Sequence, residues 1–295
     1  ALANGIHASV YESLVYYNSK TFKPEPVLAT AWKQGTPTQL RMNLRTGVKF
    51  HDGSSFSADE AVFSVERAMA KTSNFGIYAQ GIDRVVKVDA NTIDIFTKDP
   101  NPVLLNQLTE LRMMSKAWAE KNNSTLPKDI KTQDENFAHR NANGTGPFVL
   151  KEWQPDQKLV VTRNPNWWGK SEGNVTEVIY TPVKAVATRM AALLSGEVDL
   201  VLDPSPQDLA RVRGDQNLKV MDGVENRTIF FGMDQFRDEL PGSNIKGKNP
   251  LKDQRVRKAL YQAIDMNTIA RVSLRGLGQP TGALVAPQVN GWTEA

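Results

Sequence analysis

The chain contains 295 residues, 40% hydrophobic and 23% charged, which is ordinary for a globular protein of one large or two smaller domains. Its net charge is only +4 and its basic residues are scattered, so the sequence indicates no nucleic-acid-binding surface. Cysteine is absent, which excludes disulfides, zinc–thiolate sites and thiol catalysis, and no apolar run is long enough to predict a membrane-spanning helix.

The first elements are predicted over residues 1–44. A short helix leading into a strand is predicted over 1–17, and a loop is predicted at Pro24 and Pro26. Apolar and polar residues then alternate over 40–44, which is the period of a strand with one buried face.

A capped helix is predicted next. Asp52-Gly53 forms a tight turn, because glycine tolerates positive φ and aspartate bonds to its own backbone. Ser57 and Glu60 have the spacing of a capping box, which satisfies free N–H groups at a helix start. Apolar residues follow at helical spacing: Ala61, Val62, Val65, Ala68 and Met69.

The remaining elements alternate between helices and strands. Hairpins are predicted over 82–97 and 148–163, helices over 103–111, 116–121, 186–195, 253–264 and 267–274, and a loop-rich segment over 122–143. The strands predicted over 178–182 and 198–202 flank a helix, which predicts a parallel βαβ unit. Further strands are predicted over 219–221 and 228–233. The pair Trp167-Trp168 predicts an aromatic plug beneath a turn rather than a stacking platform for a sugar or base.

Several stretches carry a resemblance to one family, in the same order. They are P-V-L-A-T-A-W from residue 26, L-R-T-G-V-K-F-H-D-G from 44, N-G-T-G-P-F from 143, R-N-P-N-W-W from 163, S-G-E-V-D-L from 195 and D-Q-R-V-R-K-A-L-Y-Q-A-I-D from 253. The chain thereby resembles the family 5 extracytoplasmic solute-binding proteins, which are the peptide-, dipeptide- and nickel-binding receptors of bacterial ABC importers.

This resemblance implies an α/β fold of the periplasmic-binding-protein type: a two-lobed clamshell with mixed sheets and an inserted small α+β domain. The first lobe would comprise residues 1–15 and 141–236, the insert 16–140, and the start of the second lobe 237–295. Because family members continue further, the chain is expected to lack their C-terminal part. The acidic residue that captures a peptide's amino terminus would lie in that part.

Six candidate ligand-binding residues follow from the resemblance. Relatives place the stretch 225–234 against the ligand, where Glu225 would pair with an amine, Arg227 with a carboxylate, and Phe230 would form an apolar floor. Loops of the insert that face the cleft in relatives carry the other three: Phe75, Tyr78 and Arg112. For each of these residues, the sequence is equally consistent with a side chain that is exposed to solvent or packed within the fold and does not contact a ligand.

The sequence does not indicate a nucleotide site, a metal site or a catalytic site. The segment 242–249 approaches a P-loop, but Asn249 replaces the Ser or Thr that would bind Mg²⁺. The three histidines are isolated, and neither G-x-S-x-G nor H-E-x-x-H occurs. No catalytic residue, metal site or cofactor is therefore expected.

The resemblance implies a periplasmic or lipid-anchored receptor, expected to be a monomer. It would capture oligopeptides or similar solutes between two lobes and deliver them to membrane permease subunits, without nucleic acid as a partner. Two alternatives stay open: a nickel or metal-chelate receptor of the same family, using Arg112 against a chelator carboxylate, and a hydrolase. The length and chemistry of the ligand are not determined by the sequence.

Overall fold

The computed structural model describes residues 8–132, 134–171, 173–223, 225–287, 289 and 291–293. The chain folds into two compact units, Ala1–Pro182 and Val183–Ala295. Three antiparallel sheets lie in the first unit, whereas short helices and irregular connections make up the described part of the second. The lobe and insert boundaries implied by the resemblance stay predictions.

A two-stranded hairpin begins the first unit. Strand β1 (Val15–Asn18) pairs antiparallel with β2 (Lys23–Pro26), with Tyr17 opposite Pro24. The loop predicted at Pro24 and Pro26 is therefore wrong. Proline cannot donate to a ladder, but it fits an edge strand, and β2 forms an edge of its two-stranded sheet. Residues 8–10 are helical, while 1–7 of the predicted N-terminal helix lie outside the described residues.

The central sheet has the strand order β3-β4-β6-β5 and is antiparallel throughout. Its strands are β3 (Ala29–Thr36), β4 (Gln39–Leu44), β5 (Ile82–Asp89) and β6 (Thr92–Thr97). The alternation predicted over 40–44 is confirmed, because Leu40, Met42 and Leu44 are all buried. On the same face, Leu40 lies opposite Ile95 and Met42 opposite Ile93. This face supplies much of the main hydrophobic core.

Helix α1 (Ala58–Met69) covers the core with the predicted apolar face, of which Ala61, Val65 and Ala68 are buried. The predicted Val62 and Met69 are partly buried against the core, and Ala58 adds a further buried residue. The predicted capping box is confirmed. Asp59 N donates to Ser57 Oγ at 3.2 Å, and Ser57 N donates to Glu60 Oε2 at 3.0 Å. These bonds satisfy backbone donors that a helix start otherwise leaves unpaired.

Short helices and a second, smaller sheet complete the first unit. The helices are α2 (Gly76–Ala79), α3 (Leu104–Leu108) and α4 (Lys116–Lys121), with 3₁₀ turns at Ile130–Thr132 and Phe137–His139. The smaller sheet has the order β7 (Phe148–Gln154), β8 (Lys158–Arg163) and β9 (Glu177–Tyr180). A small core, formed by Val10, Tyr11, Leu159 and Val161, packs against it.

The stretch N-G-T-G-P-F joins the amino terminus to this smaller sheet. Gly146 N donates to Val10 O at 3.0 Å. A Cβ atom at Gly144 would lie 2.0 Å from Val10 O, and one at Gly146 would lie 2.4 Å from Ser9 O. Glycine is needed at both positions because another backbone segment passes within contact distance.

The second unit contains α5 (Val186–Ser195), α6 (Leu209–Arg213), α7 (Gln254–Gln262), α8 (Met266–Thr268), a 3₁₀ turn at Pro250–Lys252 and a π turn at Ile269–Ser273. Helix α5 ends as predicted at Gly196, whose φ of +77° favours glycine. None of the described helices in either unit has the length and apolarity to cross a membrane.

The strands predicted in the second unit do not form among its described residues. The described residues of 198–202, 219–221 and 225–234 have no regular structure, and no parallel βαβ unit forms. Strand β9 pairs antiparallel with β8 instead. A strand persists only where a neighbouring strand satisfies its backbone N–H and C=O groups, and the described part of the second unit offers no such neighbour to these segments.

Candidate ligand-binding site

A cavity of about 290 Å³ lies in the first unit, near the lower end of the range for small-molecule sites. Its polar wall comprises Tyr11, Ser64, Arg67, Ser73, Asn74, Arg112, Lys128, Asn136 and His139. Its apolar wall comprises Ala68, Phe75, Leu111, Met114, Pro127, Ala138 and Trp153. No aspartate or glutamate is among the described residues that line it.

Helix α1 positions one side of this cavity. Ser64, Arg67 and Ala68 are three and four residues apart, so they lie on one face of the helix. Arg67 Nε donates to Ser124 O at 3.2 Å. That bond holds the base of the guanidinium while its two terminal nitrogens have no protein partner among the described residues.

The segment that follows α3 positions the other side. Arg112 forms an isolated antiparallel bridge with Ser13, and its Nη1 donates to Ser13 Oγ at 3.2 Å. Two residues later, Met114 N donates to Ser64 Oγ at 2.8 Å. The segment is therefore fixed both to the amino-terminal chain and to α1.

The electrostatics of the cavity are set by two partly buried arginines. Burial lowers the pKa of Arg67 and of Arg112, and the smaller opposing effects come from Tyr11 and Glu110 respectively. Burial also raises the pKa of the Tyr11 hydroxyl to about 12, so this group is neutral at physiological pH. Within the described part of the chain, neither arginine forms an ion pair, so the cavity wall carries uncompensated positive charge.

The structure brings together two of the six residues predicted from the sequence. Phe75 and Arg112 both line the cavity. Tyr78 lies beside Phe75, with 6.3 Å between ring centroids, but packs against the core instead of lining the cavity. Sequence reasoning missed Arg67 and Trp153. Only the helical spacing of Arg67 from Ser64 could have indicated a shared face, and nothing local marks Trp153.

The other three predicted residues lie in the second unit. Glu225 and Arg227 form an ion pair of 2.7 Å and are both well exposed, and Phe230 is 63% exposed. They belong to an irregular segment rather than to the predicted strand. Their role at a ligand stays a prediction.

The tryptophan pair forms a plug, as the sequence predicts. Trp167 and Trp168 donate their indole N–H groups to the buried carboxylate of Glu12, at 3.2 and 2.8 Å. The guanidinium of Arg45 lies 4.2 Å from the ring centroid of Trp168. Burial raises the pKa of Glu12 against the opposing effect of these hydrogen bonds. The pair is therefore engaged within the fold, and its polar groups are not turned to a ligand.

Asn249 of the near-P-loop and His51 have structural roles, whereas His139 lines the cavity and His7 lies outside the described residues. Asn249 donates to two carbonyls, Asp234 O and Arg237 O, each at 2.9 Å, and caps the following 3₁₀ turn. His51 accepts a long hydrogen bond of 3.4 Å from Gly144 N at Nδ1, and its Nε2 lies 3.0 Å from Gly146 O. Among the described residues, no group of three or more His, Cys, Asp or Glu could hold a metal ion.

The chain is similar in sequence or in fold to several known proteins. The chain is 25% identical to the dipeptide-binding protein of Escherichia coli, over 97% of this chain and 54% of that protein. The oligopeptide-binding protein AppA of Bacillus subtilis, solved with a nonapeptide, superposes with a TM-score of 0.81 at 21% identity, covering 100% of this chain and 56% of AppA. NikA of Brucella suis, solved with Fe(III)-EDTA, gives 0.78 at 23% identity, covering 96% and 54%.

The chain thus spans about half the length of these relatives. Their structures confirm the mixed α/β fold of the periplasmic-binding-protein type that the sequence resemblance implies. The sequence model of the bacterial extracellular solute-binding proteins, family 5 (middle), matches residues 23–295. Together with the six motifs, this match establishes that the chain belongs to family 5 of the bacterial extracellular solute-binding proteins.

Proposed function

We propose that the protein captures small peptides or similar solutes outside the cytoplasm and delivers them to the permease of a bacterial ABC importer. The observation that carries this proposal is the family match over residues 23–295, supported by relatives that are peptide-binding proteins. The family and these relatives are binding proteins rather than enzymes, so solute should leave the protein unchanged. In this proposal the solute lies between two lobes, and the protein acts as a monomer in the periplasm or on a lipid anchor.

Calorimetric titration tests the ligand class. A panel of di-, tetra- and nonapeptides would be titrated into the purified protein, with the same sequences amidated or acetylated as matched controls. Binding of at least one peptide length, followed by recovery of the intact peptide in a mass spectrum, is the expected result. Cleaved peptide would instead favour the hydrolase alternative, and no heat of binding with any peptide would contradict a peptide receptor.

A second candidate is a receptor for metal chelates. It is favoured by the arginine-lined cavity, because arginines bind carboxylates and would recognise a metal through the carboxylates of its chelator. Titration with nickel bis-histidine, ferric EDTA and the metal-free chelators separates this candidate from a peptide receptor. Binding of a chelate without binding of any peptide would establish it.

A further inference from the structure

We propose that the tip of the β1–β2 hairpin (residues 16–24, the hairpin tip) docks onto the headgroup region of an anionic lipid bilayer. The inference goes beyond the proposed function, because a contact with lipid needs no solute. The hairpin tip combines three exposed aromatic rings, a strained backbone position and two lysines without a carboxylate partner among the described residues.

The first argument is an apolar face that leaves the core and ends in solvent. Successive side chains of a strand point to opposite faces, so Val15 and Tyr17 share one face. Val15 is fully buried, whereas Tyr17, opposite Pro24, is 38% exposed. Phe22 extends this face, because its ring lies 6.4 Å from that of Tyr17, and it is 62% exposed. Tyr16 adds a third exposed ring on the other face. Apolar surface gathered in this way marks a contact with another molecule.

The second argument is the backbone of Phe22, whose φ of +56° lies in the left-handed region. That conformation crowds the Cβ of every residue except glycine, and asparagine or aspartate tolerates it best among the others. Strain of this kind concentrates at functional sites, where the surrounding structure enforces it. Because the Phe22 ring is largely exposed, packing inside the fold does not account for a phenylalanine at this position.

The third argument is that hydrogen bonds hold the turn in place. Asn18 Oδ1 accepts from Lys20 N at 2.8 Å and from Thr21 N at 3.1 Å. Phe22 N donates to Asn18 O at 2.8 Å, and Asn18 Nδ2 donates to Glu25 Oε1 at 2.6 Å. A side chain that is already held in its binding position loses less conformational entropy when it docks. The strained ring is therefore presented to solvent in a fixed place.

The charge of the hairpin tip selects an anionic partner. Lys20 and Lys23 are exposed on either side of Phe22 in the sequence. Neither lysine forms an ion pair with another described residue. Residues 16–24 contain no aspartate or glutamate, so no carboxylate within the hairpin tip offsets these charges. Basic residues near a membrane are attracted to anionic lipids.

The size of the surface favours a lipid interface over a protein. A buried aromatic side chain covers about 150–250 Å², so the three rings at their observed exposures offer roughly 300 Å². A specific protein interface takes about 800 Å² from each partner. Tyrosine is enriched where a membrane meets water, because its ring is apolar and its hydroxyl is polar. A small aromatic surface with lysines beside it therefore matches the headgroup region of a bilayer.

Flotation with lipid vesicles tests the docking. The unaltered full chain is mixed with vesicles of phosphatidylglycerol and phosphatidylcholine in equal parts, and with vesicles of phosphatidylcholine alone. About tenfold stronger partitioning onto the anionic vesicles is expected, and it should fall as the salt concentration rises. Equal binding to both vesicles, or no binding to anionic vesicles up to about 5 mM lipid, overturns the proposal.

Phe22→Asn assigns the binding to the strained ring. Asparagine removes the ring but tolerates a φ of +56°, so the variant should melt no lower than the unaltered protein. Its binding to anionic vesicles should be about tenfold weaker. Leu126→Asn is the matched control, because Leu126 is 67% exposed in the same unit but outside the hairpin, and it should leave binding unchanged. No effect of Phe22→Asn, or an equal effect of both variants, refutes docking through the hairpin tip.

The lysines are tested by a pair of double variants. Lys20→Gln combined with Lys23→Gln should remove the preference for anionic over neutral vesicles. Lys71→Gln combined with Lys121→Gln removes the same number of charges from exposed positions outside the hairpin, and should keep that preference. An equal loss in both double variants would show a general charge effect and refute the hairpin tip as its source.

A second copy of the chain is the rival occupant. Analytical ultracentrifugation without lipid detects it: dimers that Phe22→Asn abolishes, together with no binding to vesicles, overturn lipid docking. A monomer that floats with anionic vesicles supports it. Phe22 lies outside the cavity wall, so Phe22→Asn should bind solute like the unaltered protein. The vesicle result and the solute titrations can therefore succeed or fail separately.

Discussion

Gly144→Ala should destabilise the first unit strongly, because the position has no space for a side chain. The added Cβ would lie 2.0 Å from Val10 O and 2.9 Å from a ring carbon of Tyr11, so the amino-terminal chain and the glycine segment must separate. Overpacking of this kind costs roughly 1–3 kcal/mol. Loss of the nearby bond from Gly146 N to Val10 O, now 3.0 Å, adds about 1 kcal/mol. A total near 3 kcal/mol lowers the melting temperature by about 6–12 °C for a domain of this size.

Thermal unfolding followed by circular dichroism measures this effect. The matched control is Gly173→Ala, because Gly173 is in the same unit and a Cβ there would meet nothing within 4 Å. The control should remain within about 0.5 kcal/mol of the unaltered protein. If the two variants melt within about 2 °C of each other, the close approach of these backbone segments is not what requires glycine in this motif.

Three further predictions concern stability. Ser57→Ala should lower the free energy of unfolding by about 1 kcal/mol in chemical denaturation, whereas Ser57→Thr, which keeps the capping oxygen, should cost less and neither should alter solute affinity. Burial lowers the pKa of His51 from 6.5, against smaller effects of the Gly146 carbonyl and Asp52. The contribution of neutral His51 to the free energy of unfolding is therefore complete above pH 6.5, the ordinary pKa of histidine in the unfolded chain. This contribution is lost as the pH falls below that value, because the folded protein takes up the proton less readily than the unfolded chain does. Melting curves between about pH 7.5 and 5.5 should show this loss, and His51→Gln should reduce it; an unchanged slope would contradict the assignment. Trp168→Phe should cost about 1–3 kcal/mol, since it removes a donor from the buried Glu12 carboxylate. Trp153→Phe, at an exposed ring, should cost clearly less in the same denaturation experiment.

The sequence by itself determined the features that depend on residues near one another in the chain. The capping box over residues 57–60, the alternation over 40–44 and the helix stop at Gly196 were all predictable. Each follows from hydrogen bonds or periodicities that span no more than about four residues. The order of its motifs also identified the family.

Tertiary structure alone decided which segments pair and which side chains meet. The sequence predicts a loop at Pro24 and Pro26 because proline breaks local patterns. In the fold, however, hydrogen bonds to β1 make these residues part of the edge strand β2. Residues 198–202 have the composition of a strand but have no partner in the described chain, so no strand forms. Apolar composition makes pairing possible, but hydrogen bonds to another strand are needed to realise it.

The candidate site likewise combines features that the sequence predicts with features that only the tertiary structure decides. Arg112 was predicted through its position in relatives, but its meeting with Arg67 and Trp153 could not be, because these residues are separated by 45 and 41 positions in the sequence. The depressed pKa of each arginine likewise depends on burial by distant segments. Side-chain type is local information, whereas burial and missing counter-ions are properties of the packed chain. The sequence therefore supplied the charges, and the fold decided that they would face one cavity, whose described lining contains no carboxylate to neutralise them.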